Sequence, residues 1–242
     1  LGIRGSTFSL DENKQPQSKQ PLIELIFNYI GDLECTKKDD TIVILDGNHT
    51  DFSDVVKIRV IKTFTITENT RFSRYLQSIE SSDSDVKLVG NMNGKFKGME
   101  KFDCNVNNWD VSGVTNMKKM FKNATSFNRK MEKWDVSKVK TMESMFEGAQ
   151  SFNQHLNGWQ VGGVKSMSSM FSGARVFNGK INEWDVSGVE DMSCMFEDTD
   201  CFNQNIEQWN VSKVEDMRGM FNLAIKFNKP LNKWGEKVAG VE

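Results

Sequence analysis

The tryptophans of this chain stand at Trp109, Trp134, Trp159, Trp184, Trp209 and Trp234, each 25 residues after the one before, with no insertion or deletion. A fixed period in the range of about 20 to 50 residues marks units that cannot bury their apolar face alone and must stack on their neighbours. A repeat solenoid is therefore the expected fold.

One unit, Ile181 to Asp200, sets the expectation for all. Ile181, Trp184, Val186 and Val189 are apolar, with Glu183, Asp185 and Ser187 alternating among them, which predicts a short half-buried parallel strand. Ser187-Gly188-Val189-Glu190 and Ser212-Lys213-Val214-Glu215 have the form of capping boxes. Val189, Met192, Met195, Phe196 and Thr199 follow at helical spacing, which predicts a short helix. Each repeat is thus expected to hold one strand and one helix, an α/β unit. The expected core is the tryptophan column together with Met145, Met170 and Met195 and with Phe146, Phe171 and Phe196. Inward-facing indoles need acceptors, and the column Asn128, Asn153, Asn178, Asn203 and Asn228 is one source.

The ends are less regular. Residues 1–19 are polar and read as a flexible arm. Residues 20–85 read as an α+β N-terminal cap: a helix over 21–30, a strand over 41–45, a strand-like stretch over 55–66, a helix over 70–79 and a linker over 81–85. In residues 86–108 the apolar columns persist without the signature residues, as in a degenerate first coil, so the solenoid is placed at 86–234 with a tail at 235–242. A chain that begins at Leu1 is expected to be a processed product or a fragment.

Composition narrows the function classes. A net charge of −2 gives no field for nucleic acid. No apolar run approaches the roughly 20 residues of a membrane-spanning helix. Cys35, Cys104, Cys194 and Cys201 form no C-x-x-C pair and do not follow the period, so neither a zinc site nor a disulfide framework is expected. His49 and His155 are the histidines, and neither belongs to a recognisable triad. No cofactor, no metal and no enzyme chemistry are expected.

The unit W-D-V-S-x-V-x-x-M-x-x-M-F-x-x-A-x-x-F-N, as in Trp134 through Asn153, resembles the repeat of the DUF285, or BspA-like leucine-rich-repeat, surface-protein family over about residues 86–234, with residues 1–80 outside it. The resemblance implies a right-handed, leucine-rich-repeat-like coil used for binding or surface display on a cell, a secreted protein or a virion. It carries no catalytic residues to transfer.

The expected role is a non-enzymatic protein-interaction or surface-display module. The alternative is a structural component packed into a larger assembly, such as a viral capsid or cytoskeletal layer. Binding would fall on outward positions that differ from unit to unit on a constant scaffold: either Lys133, Asp135, Glu183, Asp185, Gln208, Asn210 and Lys233, or the helix-side set Lys118, Lys119, Glu143, Ser144, Ser168, Ser193 and Arg218, which varies as well. The partner would be a protein, with a glycan as a second option. The acidic row could bind calcium, but Gln160 and Asn210 interrupt it, which favours a structural role for those acids.

Overall fold

The structure, a computed structural model, describes residues 33–39, 41–45, 49–61, 63–81 and 86–240. The helix expected over 21–30 and the polar arm lie outside the described residues, as does most of the linker at 81–85.

The described chain opens with an antiparallel pair, β1 (Leu33–Lys37) and β2 (Ile42–Leu45), the second matching the strand expected there. β1 also pairs antiparallel with β4 (Val55–Val60). From β4 onward every pairing is parallel. β3 (Asp51–Phe52) pairs with β6 (Arg71–Phe72), and β4 with β7 (Ser78–Glu80). β5 (Phe64–Ile66) pairs with β8 (Val86–Asn91), and β8 with β9 (Asp110–Asn116). The expected strand over 55–66 is thus two strands, broken before Phe64. The helix expected over 70–79 is absent: Arg71–Phe72 and Ser78–Glu80 are strands. Phe72 is drawn into a row of stacked rings, and that outweighs the helical spacing of Phe72, Tyr75, Leu76 and Ile79.

After Asn116 the regular strands end, and parallel contact continues as single bridges: Asn116 to Thr141, Thr141 to Ser166, Ser166 to Asp191, and Asp191 to Asp216. Beyond β9 the parallel bridges therefore fall several residues after the stretch exemplified by Ile181 to Ser187, which here is turn and irregular chain.

The helix expected in each repeat is replaced by turns. Two positions per repeat have positive φ, for instance Ser144 and Gly148, Ser169 and Gly173, Cys194 and Asp198. No α-helix accommodates that alternation. Each such residue is third in a tight turn closed by an i to i−3 bond, as from Met145 N–H to Met142 O and from Ala149 N–H to Phe146 O, the arrangement of a type II turn. The intervening amides bond to the next repeat: Met142, Ser144, Phe146 and Gly148 donate to the carbonyls of Ser166, Ser168, Met170 and Ser172 at 2.8–3.0 Å. The same four bonds recur at every junction from Met92 to Asn222. Four columns of peptide groups thus point the same way, N–H toward the C-terminal repeat.

The core is as expected in content. All six tryptophans are 2–4% exposed, and Met145, Met170, Met195, Phe146, Phe171 and Phe196 are fully buried. Phe121, Phe146, Phe171, Phe196 and Phe221 stack at 5.7–5.8 Å between neighbours. The same row runs back through Phe96 and Phe72 to Phe52.

Candidate functional site: the exposed columns

Around each buried indole the chain is held by backbone. Trp134, Trp159, Trp184, Trp209 and Trp234 donate their Nε1–H to the carbonyls of Val106, Met131, Leu156, Ile181 and Ile206, at 2.7–3.3 Å. The asparagine column does not serve them. It forms a ladder of its own: the side-chain oxygens of Asn128, Asn153, Asn178 and Asn203 accept from the backbone N–H of the asparagine one repeat on. Trp109 Nε1 is buried and finds no acceptor among the described residues. The residue 28 positions back is Ser81, where the 25-residue register has not yet begun. With their faces covered, the tryptophans offer no row for stacking sugars.

The predicted surface residues are exposed: Lys133, Asp135, Glu183, Asp185, Gln208, Asn210 and Lys233. They flank the indoles one residue before and one after; beside Trp159 the earlier position is Gly158 and beside Trp234 the later one is Gly235, so those two repeats present one side chain there. Within the first column neighbouring repeats touch, Lys133 Nζ donating to Asn108 Oδ1 at 2.8 Å and Lys233 Nζ to Gln208 Oε1 at 2.7 Å. The second column is engaged locally. Asp110, Asp135, Asp185 and Asn210 each accept the N–H of the serine two residues on, at 3.0–3.2 Å. These are Asx turns, and the serine bonds hold all three aspartates below the ordinary carboxylate range. Ser187 and Ser212 therefore cap no helix: their N–H groups are the donors in these turns. Among the described residues no group of three or more His, Cys, Asp and Glu is placed to hold a metal ion.

A second surface follows the bridging positions and includes Lys118 and Glu143 of the variable helix-side set. Lys118 pairs with Glu143, Lys122 with Glu147 and Lys165 with Glu190, each at 2.6 Å and each 25 residues apart. Exposed pairs contribute about 0–1 kcal/mol apiece, so they mark the register more than they stabilise it. The signal was available as opposite charges at the repeat spacing.

Cys35, Cys104 and Cys194 are held in the protonated thiol form. Burial pushes Cys35 and Cys104 up to about 12, and burial together with Glu197 raises Cys194. His155 Nδ1 lies 3.0 Å from the Lys180 N–H and acts as its acceptor; His49 Nε2 lies 2.8 Å from Asp51 O. No described helix is long and apolar enough to cross a membrane.

No curated protein and no solved structure matches the chain. The family described as Mycoplasma protein of unknown function, DUF285, matches residues 63–180 and 154–241. That match begins well before residue 86, inside the region expected to be a separate cap. The parallel turns and the phenylalanine row reach equally far back, and the chain belongs to the DUF285 family.

Proposed function

We propose that the chain is a non-enzymatic interaction module: a continuous right-handed solenoid over residues 86–234 that displays its outward columns to a protein partner on a cell or virion exterior. The observation that carries this reading is the contrast within one repeat. Positions 133, 158, 183, 208 and 233 are exposed and read Lys, Gly, Glu, Gln, Lys, while the adjacent position is buried tryptophan every time. A rigid, invariant backing with side chains that change at each level is the arrangement of repeat-protein binding faces. Right-handedness follows from the chirality of parallel strand connections.

The test is panning against a displayed peptide library with the native chain and with a Lys133→Glu, Glu183→Lys, Lys233→Glu variant. Selected binders should lose at least tenfold in affinity for the variant, whose exposed changes leave the core untouched. Binders indifferent to all three positions would place recognition elsewhere. The structural-component reading predicts instead self-association, seen by light scattering, at high protein concentration.

A further inference from the structure

One interior repeat breaks the outward columns. Gly158 stands where the neighbouring repeats have Lys133 and Glu183, and Gly162 where they have Ser137 and Ser187, with Gly163 beside it. Between them lies uncharged Gln160, flanked by Asp135 and Asp185 one repeat to either side. Gly158 and Gly162 are exposed, so the level of Trp159 is a furrow one repeat wide whose floor is bare backbone.

That floor holds unused donors. Ser112, Ser137, Ser187 and Ser212 give their N–H to the Asp or Asn two residues before. Gln160, one methylene longer, closes no such turn, and among the described residues the Gly162 N–H donates to nothing. Lys133 and Glu183 give their N–H to the side-chain oxygens of Asn107 and Asn157, at 3.3 and 3.4 Å. The residue at the same offset from Gly158 is Glu132, and among the described residues the Gly158 N–H is likewise unused.

The two banks of the furrow differ in charge. Lys138 and Lys140 stand on the N-terminal bank, Glu183 and Asp185 on the C-terminal one. None of these joins an ion pair among the described residues. Lys140 Nζ comes within 3.4 Å of where a Cβ on Gly163 would lie, and Asp185 Oδ2 within 3.2 Å of one on Gly162, so both banks reach over the floor. Asp135 is the exception on the basic bank, and its Oδ1 takes the Ser137 N–H.

We propose, building on the reading of the outward columns as a protein-binding face, that this furrow seats an extended segment of a partner protein in which acidic and basic residues alternate. Neighbouring levels of a parallel stack lie about 4.8 Å apart, which sets the banks about 10 Å apart, room for one extended backbone. Successive side chains of an extended chain point to opposite sides, at right angles to its peptide groups. With its carbonyls turned down to the Gly158 and Gly162 N–H groups, the segment sends its carboxylates to Lys138 and Lys140 and its cations to Glu183 and Asp185. Backbone bonds then give affinity and the alternation gives specificity. A run of one charge, or a polyanion such as a sulfated glycan, sets like charge against one bank.

The probe is a fluorescein-labelled peptide of alternating Glu and Lys, eight residues long and blocked at both ends, titrated into the full chain and read by fluorescence anisotropy. Saturable binding is expected, weakened by salt. It should be at least tenfold tighter than that of a peptide with the same composition and all its glutamates before its lysines. Gly158→Gln together with Gly162→Ser fills the furrow with side chains that other repeats carry at those positions. This variant should bind at least tenfold more weakly while its tryptophan emission stays native, and Lys140→Glu, on the exposed bank, should weaken binding in the same direction. Absence of binding, equal binding of the two peptides, or equal binding to the glycine variant overturns the proposal. The wider reading fails separately: library binders that lose affinity for the Lys133, Glu183, Lys233 variant and are indifferent to the glycine variant leave the binding face standing and sink the furrow.

Discussion

Residues 49–81 and residues 116–231 solve the same problem with different backbones. In the first, neighbouring turns lie 20 to 22 residues apart and pair as recognisable parallel strands: Phe52 opposite Phe72, Ile58 opposite Ile79, Phe64 opposite Val86. In the second the spacing is 25, strands shrink to single bridges, and two positive-φ residues per repeat fold the chain into turns. Yet one row of phenylalanine rings passes through both. A stack of this kind needs one large ring per level in a constant place, and it tolerates several ways of bringing the chain back to that place. The signature residues of the later repeats specify one such way.

If the two regions form one stack, losing a ring in either should destabilise both. Trp184→Ala removes a fully packed indole and its bond to Leu156, and should cost about 3–5 kcal/mol. Phe52→Ala should cost a similar amount, since that ring is fully buried against Phe64 and Phe72. None of the six tryptophans lies in residues 49–81 and four lie within 116–231, so their fluorescence does not report the earlier region directly. A denaturant midpoint by tryptophan fluorescence that falls for Trp184→Ala and stays fixed for Phe52→Ala would divide the molecule in two.

The asparagine ladder belongs to the regular region, running from Asn128 to Asn228. Asn178→Ala should cost about 1–3 kcal/mol, because it strands the Asn203 N–H and removes an acceptor from Gln204. A loss no larger than that of an exposed substitution such as Glu183→Ala, under about 0.5 kcal/mol, would make the ladder incidental.

The positive-φ pairs give a comparison with a sign. Lys119 holds φ at 56°, and Lys119→Gly should stabilise by up to about 1–2 kcal/mol through relieved backbone strain. Gly173, at φ 68°, has room for a methyl group beside Gly148, and Gly173→Ala should destabilise by a comparable amount. Thermal midpoints moving in the same direction would show the turns to be of another kind.

The smallest effect is electrostatic. Bonds from Arg218 hold the Asp216 carboxyl down at about 2, against an ordinary value of 3.8. A depressed carboxyl stabilises the fold above its unfolded value, and the contribution fades as pH falls from 3.8 toward 2. Asp216→Asn should flatten the stability profile in that window and leave it unchanged near neutrality in slope.

Much of the core was legible because period is a property of sequence. Tryptophan every 25 residues, with methionine and phenylalanine at constant offsets, marks positions that must share an environment, and those positions are buried. The backbone between them was not. Met192, Met195, Phe196 and Thr199 have helical spacing, but that spacing is equally compatible with consecutive turns that place the same side chains inward. The clue lay in Gly94 and Gly98, which recur as Gly148, Gly173 and Gly219 and mark columns that lysine, serine, cysteine and leucine otherwise disguise. The short-period turns before residue 86 were hidden for a different reason: their spacing drifts, so no column could be followed through them.

The sequence by itself determined which residues lie inside, which lie outside and how far apart the levels repeat, since burial of large apolar side chains dominates the energetics and is written into their spacing. Tertiary structure alone decided where the backbone hydrogen bonds go. A peptide group bonds equally well to its own helix or to the next repeat, and here the aligned columns of the neighbouring repeat took them. That choice made turns of the expected helices and gave the indoles carbonyls as partners.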